Sequence, residues 1–444
     1  MLVAALLITA GGWIRPAGAD RLPDAVRDAL RAHPEVQAAA ANLRATVQSY
    51  EQAGAGRYPS IDLRLGGGRE ETDSPGTRAA GLGTRGLTRQ EANLTLRQNV
   101  FDASQVRSQM ETQNFRVDSA RARLAETGDQ VALRVAEAYL DSVRDGQLVT
   151  LAQDNVTRHQ ATLDKVRLRF TSGVGQRADV EQAEARLALA RSSLVNAQGS
   201  QQDSAARYRR VVGRPPQSLE PPASPGNAVP STLDSAQGTA TGNSYSLKAA
   251  QTDLSAAQAT VRATRADLAP RVDVELSANR NRDIDGVAGA NNDASAMLVM
   301  RYNLFRGGAD QARVKEAMER ETGAMEAVRN AQQATEESVA RAWHALAAAR
   351  DRLAYLEGHV RAIEQVLGAY QSQFELGRRT LLDVLNTENE LFQARSNLVS
   401  GRTALRLSEY RVLAAMSTLV SALGMSDELT KLDAQRPVTE SYAR

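Results

Sequence analysis

The stretch Phe374-Glu-Leu-Gly-Arg-Arg-Thr-Leu-Leu-Asp-Val-Leu-Asn386 decides the fold of this chain, because it predicts a turn followed by a long helix. Gly377 can end one helix in a left-handed conformation without a Cβ penalty. Thr380, with Asp383 three residues later, is typical of a capping box that opens the next helix. Apolar residues recur at heptad spacing on both sides of the turn, upstream at Val339, Leu346, Leu353, Val360, Leu367 and Phe374, and downstream at Val384, Leu391, Leu398, Leu405, Val412 and Leu419. Two long helices are therefore expected to meet here as an antiparallel coiled-coil hairpin.

The same hairpin is present earlier in the chain, at a constant offset. Phe170-Thr-Ser-Gly173 matches the start of the turn, and Asp179-Val180 matches Asp383-Val384. The upstream apolar positions match as well, for example Leu163 with Leu367. Agreement at this many spaced positions indicates a structural duplication. The chain is therefore interpreted as one supersecondary unit used twice.

Composition excludes several classes of protein. With 444 residues and only 4% aromatics, the chain has the make-up of long helices that bury a narrow seam, rather than of several ordinary domains. A net charge of +2 gives no reason to expect nucleic acid as a partner. The absence of cysteine excludes disulfides, thiolate metal sites, thiol catalysis and a lipid-modified N-terminal cysteine.

No enzyme activity, cofactor or metal site is predicted. The four histidines (His33, His159, His344 and His359) lie far apart and lack the spacing of a helical metal motif. Gly66-Gly-Gly68 precedes a polar loop rather than a helix N-terminus, so it is interpreted as a strand-end or loop feature and not as a phosphate-binding loop.

Residues 1–19 have the pattern of a signal peptide. An apolar run from Leu2 to Ile8 is followed by Ala17-Gly-Ala19, which is an A-x-A cleavage site before Asp20. Export from the cytoplasm is therefore expected. No later segment has the ~18–20 uncharged apolar residues of a membrane-spanning helix, so any membrane-spanning part is expected to consist of strands.

Four segments alternate strictly between apolar and polar residues. They lie at residues 61–65 and 92–98 in the first repeat, and at 272–278 and 298–304 in the second. Polar loops are expected between them, at about 66–88 and 279–295. Strands of about ten residues with one apolar and one polar face suit an outer-membrane barrel. The alternative is a soluble hairpin that packs one face on a core, but no other element is predicted to cover those faces.

The predicted organisation follows from the duplication. Structural repeat 1 (20–213) has a helix from Leu22 to about Ala53, a β-hairpin at about 58–101, a long helix at 102–170 and a helix at 176–212. Structural repeat 2 (244–424) has a helix, a β-hairpin at about 270–305, a long helix at 306–376 and a helix at 380–423. An irregular linker (214–243) joins the repeats, and a polar tail (425–444) follows. In each repeat the two shorter helices, placed end to end, are about as long as the long one.

This arrangement resembles the TolC family of outer-membrane channel proteins over nearly the whole mature chain. The motifs that carry the resemblance are His33-Pro34, Tyr58-Pro-Ser-Ile-Asp62, Asn99-Val-Phe-Asp102, Arg169-Phe-Thr-Ser-Gly173 with Asp179-Val180, Leu268-Ala-Pro270, Tyr302-Asn-Leu-Phe305 and Gly377-Arg-Arg-Thr-Leu-Leu-Asp-Val-Leu385. The resemblance implies a homotrimer, in which twelve strands close one barrel in the outer membrane and helical columns form a tunnel in the periplasm. Open sheet edges are not tolerated in lipid, which independently favours an oligomer.

The resemblance also implies a gate at the periplasmic entrance. Arg379 occupies the position of the gate arginine, Asp179 that of its partner, and Asp383 that of an entrance-ring acid. Phe374 stands where the family often has a gate tyrosine, and Asn386 where a second entrance aspartate is common. These two departures imply a looser gate that is less sensitive to cations. The alternative is that both aspartates only stabilise helix N-termini.

Two turns, at about 171–178 and 375–382, are expected to dock a periplasmic adaptor. The predicted docking residues are Ser172, Gly173, Val174, Leu376, Gly377 and Arg378. The expected function is a passive exit duct, with energy supplied by an inner-membrane ABC or proton-driven transporter. Within the family, the missing lipidation cysteine and the Phe305-Arg-Gly-Gly308 and Leu381–Leu385 runs look more like type I protein secretion. Small-molecule efflux is the first alternative, and a soluble periplasmic coiled-coil scaffold is the second.

Overall fold

The computed structural model describes residues 20–434. The predicted signal peptide (1–19) and the end of the predicted tail (435–444) lie outside this part of the chain. The predicted fold class, mostly helical with a small β part, is confirmed. The helices are α1 (Leu22–Ala32), α2 (Pro34–Gly54), α3 (Pro75–Ala79), α4 (Gln105–Thr171), α5 (Arg177–Val212), α6 (Leu233–Asn243), α7 (Tyr245–Ala266), α8 (Ala309–Glu375), α9 (Leu381–Ala415), α10 (Leu419–Ala422) and α11 (Ser426–Ala434). The strands are β1 (Ser60–Thr72), β2 (Arg85–Phe101), β3 (Arg271–Ile284) and β4 (Val287–Arg301).

Contacts divide the chain into two compact units, each of which is described by itself. Within the described residues, the helical unit comprises 20–39, 124–244 and 334–434. The strand unit comprises 40–123 and 245–333. Each unit therefore draws residues from both sequence repeats.

The strand unit contains one antiparallel sheet of order β1-β2-β3-β4. Its register places side chains of the same kind in rows: Leu63 lies opposite Leu94, which lies opposite Ala278. In the next row, Asn93 of β2 lies opposite Asn279 of β3. Because neighbouring residues point to opposite faces, one face of the sheet is apolar and the other is polar. The apolar face is exposed in the single chain, with Leu63 65% exposed.

The strands extend into the two stretches that were predicted to be loops. β1 continues to Thr72, and β3 and β4 continue to a tight turn at Asp285-Gly286, where both residues have positive φ. Polar side chains pair along the added length, and Asn279 Nδ2 donates to Asp293 Oδ2 at 2.8 Å. The loop predictions were therefore wrong in extent. Backbone pairing continues after the apolar alternation stops, because a strand with two polar faces still forms its ladder of hydrogen bonds.

The helical unit has its core along the predicted heptad seams. Val360 and Leu367 of α8 pack with Val384 and Leu391 of α9. In the first repeat, Leu163 of α4 packs with Ala183 and Leu187 of α5. These contacts confirm two coiled-coil hairpins, α4/α5 and α8/α9.

No helix within residues 20–434 combines the length and the apolar character needed to cross a membrane.

The helix predicted from Leu22 to about Ala53 is broken at His33. This residue has an extended backbone (φ −67°, ψ 128°), so α1 ends before it. Pro34 disfavours the helical conformation in the residue that precedes it and has no N–H to donate. The break is therefore a local effect of one proline, which serves as the first residue of α2.

The helix predicted over 380–423 ends early, at Ala415. Ser417 adopts a positive φ of 56°, which interrupts the helix, and α10 then begins at Leu419. The first turn of α10 needs acceptors for its free N–H groups. Buried Asp129 of α4 supplies one, since Val420 N donates to Asp129 Oδ1 at 3.0 Å.

Helices also occur in the predicted linker and the predicted tail. The segment 214–243 is irregular only as far as Thr232, whose side chain caps α6 by accepting a hydrogen bond from Ser235 N. The segment after Gly424 forms α11, and Glu428 anchors it by accepting two hydrogen bonds, both of 2.7 Å, from Arg31 of α1. This ion pair holds the pKa of Glu428 at about 2. Capping and ion pairing order these two polar segments, which have little apolar periodicity.

Asp20, the first residue after the predicted cleavage site, is held at several points. Its carboxylate accepts a hydrogen bond of 2.7 Å from Arg214 Nη2, and its carbonyl oxygen accepts one of 2.6 Å from the Tyr139 hydroxyl. Its backbone also forms a parallel bridge with Leu219. Burial raises the pKa of Tyr139 to about 12. The beginning of the described chain is thus tied to both α4 and the linker.

Candidate functional site at the hairpin turns

The two hairpin turns have the same backbone structure. Gly377 has a φ of +73°, and Arg378 N donates to the carbonyl of Gln373 at 2.8 Å. In the first hairpin, Gly173 has a φ of +78°, and Val174 N donates to the carbonyl of Arg169 at 3.0 Å. Both are Schellman motifs, in which a left-handed glycine lets the chain satisfy the last carbonyls of a helix. The left-handed glycine expected at Gly377 is confirmed.

The predicted docking residues all lie exposed in these turns. They are Ser172, Gly173, Val174, Leu376, Gly377 and Arg378. Val174 is 73% exposed and Leu376 is 71% exposed. Leu168 and Leu382 nearby are exposed as well, at 68% and 45%. The ends of the two hairpins therefore present apolar side chains that no other part of residues 20–434 covers.

Arg379 is held inside its own hairpin. Its guanidinium carbon lies 3.9 Å from the ring centroid of Tyr370 on α8. Its Nη1 lies 3.8 Å from Asp383 Oδ2 on α9, which is an ion pair but too long for a hydrogen bond. Arg379 Nε is shielded from solvent and has no hydrogen-bond partner among the described residues. Arg379 is thus stacked on Tyr370, beside a long ion pair with Asp383.

The two predicted gate aspartates differ in their surroundings. Asp383 forms only half of the predicted capping box: its N–H donates to Thr380 Oγ1 at 3.3 Å, but its Oδ2 accepts from the Thr380 hydroxyl at 2.7 Å and not from the Thr380 backbone N–H. Asp179 lies half-buried in the first turn of α5 and forms no ion pair within 4.0 Å among residues 20–434. The predicted pair between Arg379 and Asp179 is therefore not formed within the chain. The gate roles of both acids stay predictions.

Phe374 and Asn386, the two residues that depart from the family pattern, both form contacts between the hairpins. The ring of Phe374 packs against apolar residues of both hairpins and lies under the guanidinium of Arg169, 4.8 Å from the ring centroid. Asn386 Oδ1 accepts a hydrogen bond of 2.7 Å from Arg186 of α5. Phe374 and Asn386 thus help to hold α4/α5 against α8/α9 in the single chain.

A buried polar pair that the sequence analysis did not single out also joins the hairpins. His159 Nδ1 of α4 lies 3.6 Å from Glu388 Oε2 of α9, and both atoms are buried without a hydrogen-bond partner among the described residues. Burial is the main cause that lowers the pKa of His159, and nearby Arg186 adds to it. Burial raises the pKa of Glu388, although hydrogen bonds with Gln371 and Thr162 oppose this. The signal in the sequence was a histidine between two seam positions, Val156 and Leu163.

Comparison with known proteins supplies the family. The model of a family described as "Outer membrane efflux protein" matches residues 25–214 and 238–418. The chain belongs to the outer membrane efflux protein family. This membership confirms the predicted resemblance and the predicted location in the outer membrane. The alternative of a soluble periplasmic scaffold was wrong, because the family consists of outer-membrane proteins.

Relatives match this member of the outer membrane efflux protein family along almost their whole length. Outer membrane efflux protein BepC of Brucella suis is 27% identical over 446 positions, covering 99% of this chain and 94% of the relative. Protein CyaE of Bordetella pertussis is 29% identical over 424 positions, covering 92% and 87%. The crystal structure of the CmeC outer-membrane channel of Campylobacter jejuni superposes with a TM-score of 0.77 at 13% identity, covering 90% of this chain and 86% of that one. That similarity shows a shared fold.

Proposed function

We propose that this outer-membrane channel is the exit duct of a tripartite export system and that its two hairpin turns dock a periplasmic adaptor. The observation that carries the proposal is the group of exposed apolar side chains at the turns: Leu168, Val174, Leu376 and Leu382. Exposed apolar residues gathered at one place favour a protein partner. The duct is passive in this proposal, and an inner-membrane transporter of the ABC or proton-driven type supplies the energy.

A homotrimer completes the duct in this proposal. β1 and β4 are the two edges of the four-stranded sheet, and each has one neighbour within the chain. Unpaired edge groups are costly in lipid, so the edges are expected to pair between copies. Three copies supply twelve strands, which lies within the known range of outer-membrane barrels, and cyclic symmetry closes the ring.

The proposed cargo is a type I secreted protein. Support comes from the sequence, since the chain has no cysteine for lipidation and carries the Phe305-Arg-Gly-Gly308 and Leu381–Leu385 runs. Small-molecule efflux is the second candidate, and the name of the Brucella relative, an efflux protein that aligns with 99% of this chain, favours it.

Deletion of the gene in its native host, with complementation, distinguishes the two cargoes. We expect a protein to disappear from the culture medium while susceptibility to drugs, dyes and detergents stays unchanged. Increased susceptibility with an unchanged set of secreted proteins would assign the duct to small-molecule efflux instead.

Docking at the turns is tested separately, with a photo-crosslinking amino acid placed at Leu376 or Val174. Both positions are expected to capture a periplasmic adaptor. The matched control is Asp154, which is exposed on α4 far from the turns and should capture none. Equal capture at all three positions would contradict docking at the turns.

A further inference from the structure

We propose that Tyr370 is the positioning residue for Arg379 and holds the gate cation on its own hairpin. This inference rests on the proposed duct and on the gate that the family resemblance predicts at its turns. The guanidinium carbon of Arg379 lies 3.9 Å from the Tyr370 ring centroid, which is within the range of a strong cation–π contact. Arginine stacks well on aromatic faces, because its planar cation is weakly hydrated. The aromatic ring thus decides where the cation points.

The other contacts of Arg379 are weaker determinants of its position. The separation from Asp383 is 3.8 Å, and both side chains are more than one third exposed, so water and salt screen the pair. Arg379 Nε is buried without any acceptor among the described residues. A guanidinium held mainly by hydrogen bonds would point this N–H at an oxygen atom. The burial of Arg379 Nε beside the Tyr370 ring instead indicates that stacking determines the position of the guanidinium.

Tyr370 is itself fixed by the core of the hairpin. It is partly buried and packs against the cluster that includes Val360, Leu367, Val384 and Leu391. The ring is therefore a rigid platform. The Arg379 side chain stacked on it loses little further conformational freedom when it forms an ion pair in the gate. Pre-organisation of this kind strengthens any later contact with an acid of another hairpin or another chain.

Phe374 is not the platform for Arg379, because its ring holds a different arginine. Arg169 of α4 lies over it at 4.8 Å. Tyr370 precedes Phe374 by one helical turn, so the two rings lie on the same side of α8. Each ring therefore holds one arginine: Phe374 holds a cation from the other hairpin, and Tyr370 holds the cation that follows its own turn.

The first test measures how accessible Arg379 is in detergent-solubilised full-length protein. Phenylglyoxal modifies arginine, and mass spectrometry gives separate rates for Arg379 and its exposed neighbour Arg378. Tyr370→Leu and Tyr370→Met, which remove the aromatic face, are expected to raise the rate at Arg379 by about two- to five-fold. Tyr370→Phe keeps the ring and is expected to match the wild type. The rate at Arg378 should stay constant throughout.

The second test measures single-channel conductance in planar bilayers. Tyr370→Leu is expected to raise conductance as Arg379→Ser does, while Tyr370→Phe stays at the wild-type value. Tyr370→Leu should add nothing in the Arg379→Ser background, because the tyrosine acts through the arginine. Phe374→Leu is the control for loss of an aromatic ring from the same core, and it should leave the rate at Arg379 unchanged.

The inference is overturned if neither Tyr370→Leu nor Tyr370→Met changes the modification rate at Arg379. It is also overturned if the conductance effect of Tyr370→Leu persists without Arg379, since Tyr370 would then act only through packing. A wild-type protein that forms no channels would refute the proposed duct and not the stacking, because the modification rates are measured without channel activity.

Discussion

His159 Nδ1 and Glu388 Oε2 face each other between the two coiled-coil hairpins, 3.6 Å apart and almost fully buried. The neighbouring charges are all positive: Arg158 and Lys165 of α4 act on Glu388, and Arg186 of α5 acts on His159. Burial is the main cause that lowers the pKa of His159, and Arg186 adds to it, so the imidazole supplies little positive charge to the pair. The contact between the hairpins therefore contains a buried carboxyl group whose charge is only partly compensated.

The first prediction concerns Glu388→Gln. Because the pKa of Glu388 is raised above its value in the unfolded chain, its contribution to stability is present below pH 4.5 and is lost as the pH rises through the folded-state pKa. Replacing the carboxylate by an amide should therefore stabilise the protein at pH 8, by about 1–2 kcal/mol, and have little effect at pH 4. Thermal unfolding of the purified protein at both pH values measures this.

The chain offers a matched control for this prediction. His359 and Glu390 form a similar pair on α8 and α9, 3.7 Å apart, but both side chains are about half exposed. Glu390→Gln should leave stability unchanged at either pH. A loss of stability in Glu388→Gln at pH 8 would show instead that the buried pair stabilises the contact between the hairpins.

The second prediction concerns Asp129, which caps α10. Burial raises its pKa to about 6 from 3.8, although the N–H groups of Val420 and Leu419 oppose the increase. The stability that this group contributes is present below pH 3.8 and lost as the pH rises through about 6. Asp129→Asn retains an acceptor for Val420 N, so it should stabilise the protein at pH 8 by up to about 3 kcal/mol, with a smaller gain at pH 5.

Urea unfolding of the detergent-solubilised protein, followed by circular dichroism at both pH values, checks the effect at Asp129. Asp154→Asn, an exposed change on the same helix, is the control and should have no effect. If Asp129→Asn raised the free energy of unfolding equally at pH 5 and pH 8, the destabilisation caused by Asp129 would not come from its buried charge.

The third prediction concerns the gate. Exposed ion pairs contribute only about 0–1 kcal/mol each, which is weak enough for a docked partner to break. Asp179→Ala combined with Arg379→Ser should raise single-channel conductance in planar bilayers while the oligomer stays intact. Asp383→Ala should instead weaken the block by multivalent cations added from the periplasmic side. Wild-type conductance in the double variant would mean that these residues only stabilise helix ends.

The fourth prediction concerns the apolar face of the sheet. Leu63→Arg and Leu298→Arg each place a charge on that face, where Arg at the bilayer midplane costs about 2–4 kcal/mol. Both variants should assemble poorly in the outer membrane. Asp62→Arg changes the neighbouring residue on the polar face and should assemble normally. Immunoblots of the outer-membrane fraction measure assembly, and normal levels of the two leucine variants would place this face away from lipid.

Local signals in the sequence predicted some elements well and others only in part. Gly377 predicted the turn and Thr380 predicted the start of α9. Both signals are readable because a left-handed glycine and a capping hydroxyl affect the backbone only within a few residues of themselves. Pro34 carries the signal for the break at His33, but the apolar pattern continues on both sides of it and favours one unbroken helix. The full length of β3 and β4 was not visible, since strand pairing through polar residues leaves no alternation to detect.

The arrangement around Arg379 was outside the reach of sequence reasoning. The motif position identifies this arginine, yet which ring it stacks on depends on the rotation of α8 about its axis. The pair of His159 and Glu388 likewise requires two helices of different repeats to lie side by side. Periodicity predicts which face of a helix is buried, but it does not predict which polar side chains meet on that face.

The two Schellman turns determine how the two repeats can differ at their ends. The backbone hydrogen bonds of the turns are equivalent, with the one from Val174 to Arg169 repeated from Arg378 to Gln373. Their side chains are not, since Ser172 and Val174 correspond to Leu376 and Arg378. The two turns therefore share one backbone geometry and differ in the chemistry of their side chains. One chain thereby presents two chemically different surfaces on the same backbone frame, and a substitution in one turn leaves the side chains of the other unaltered.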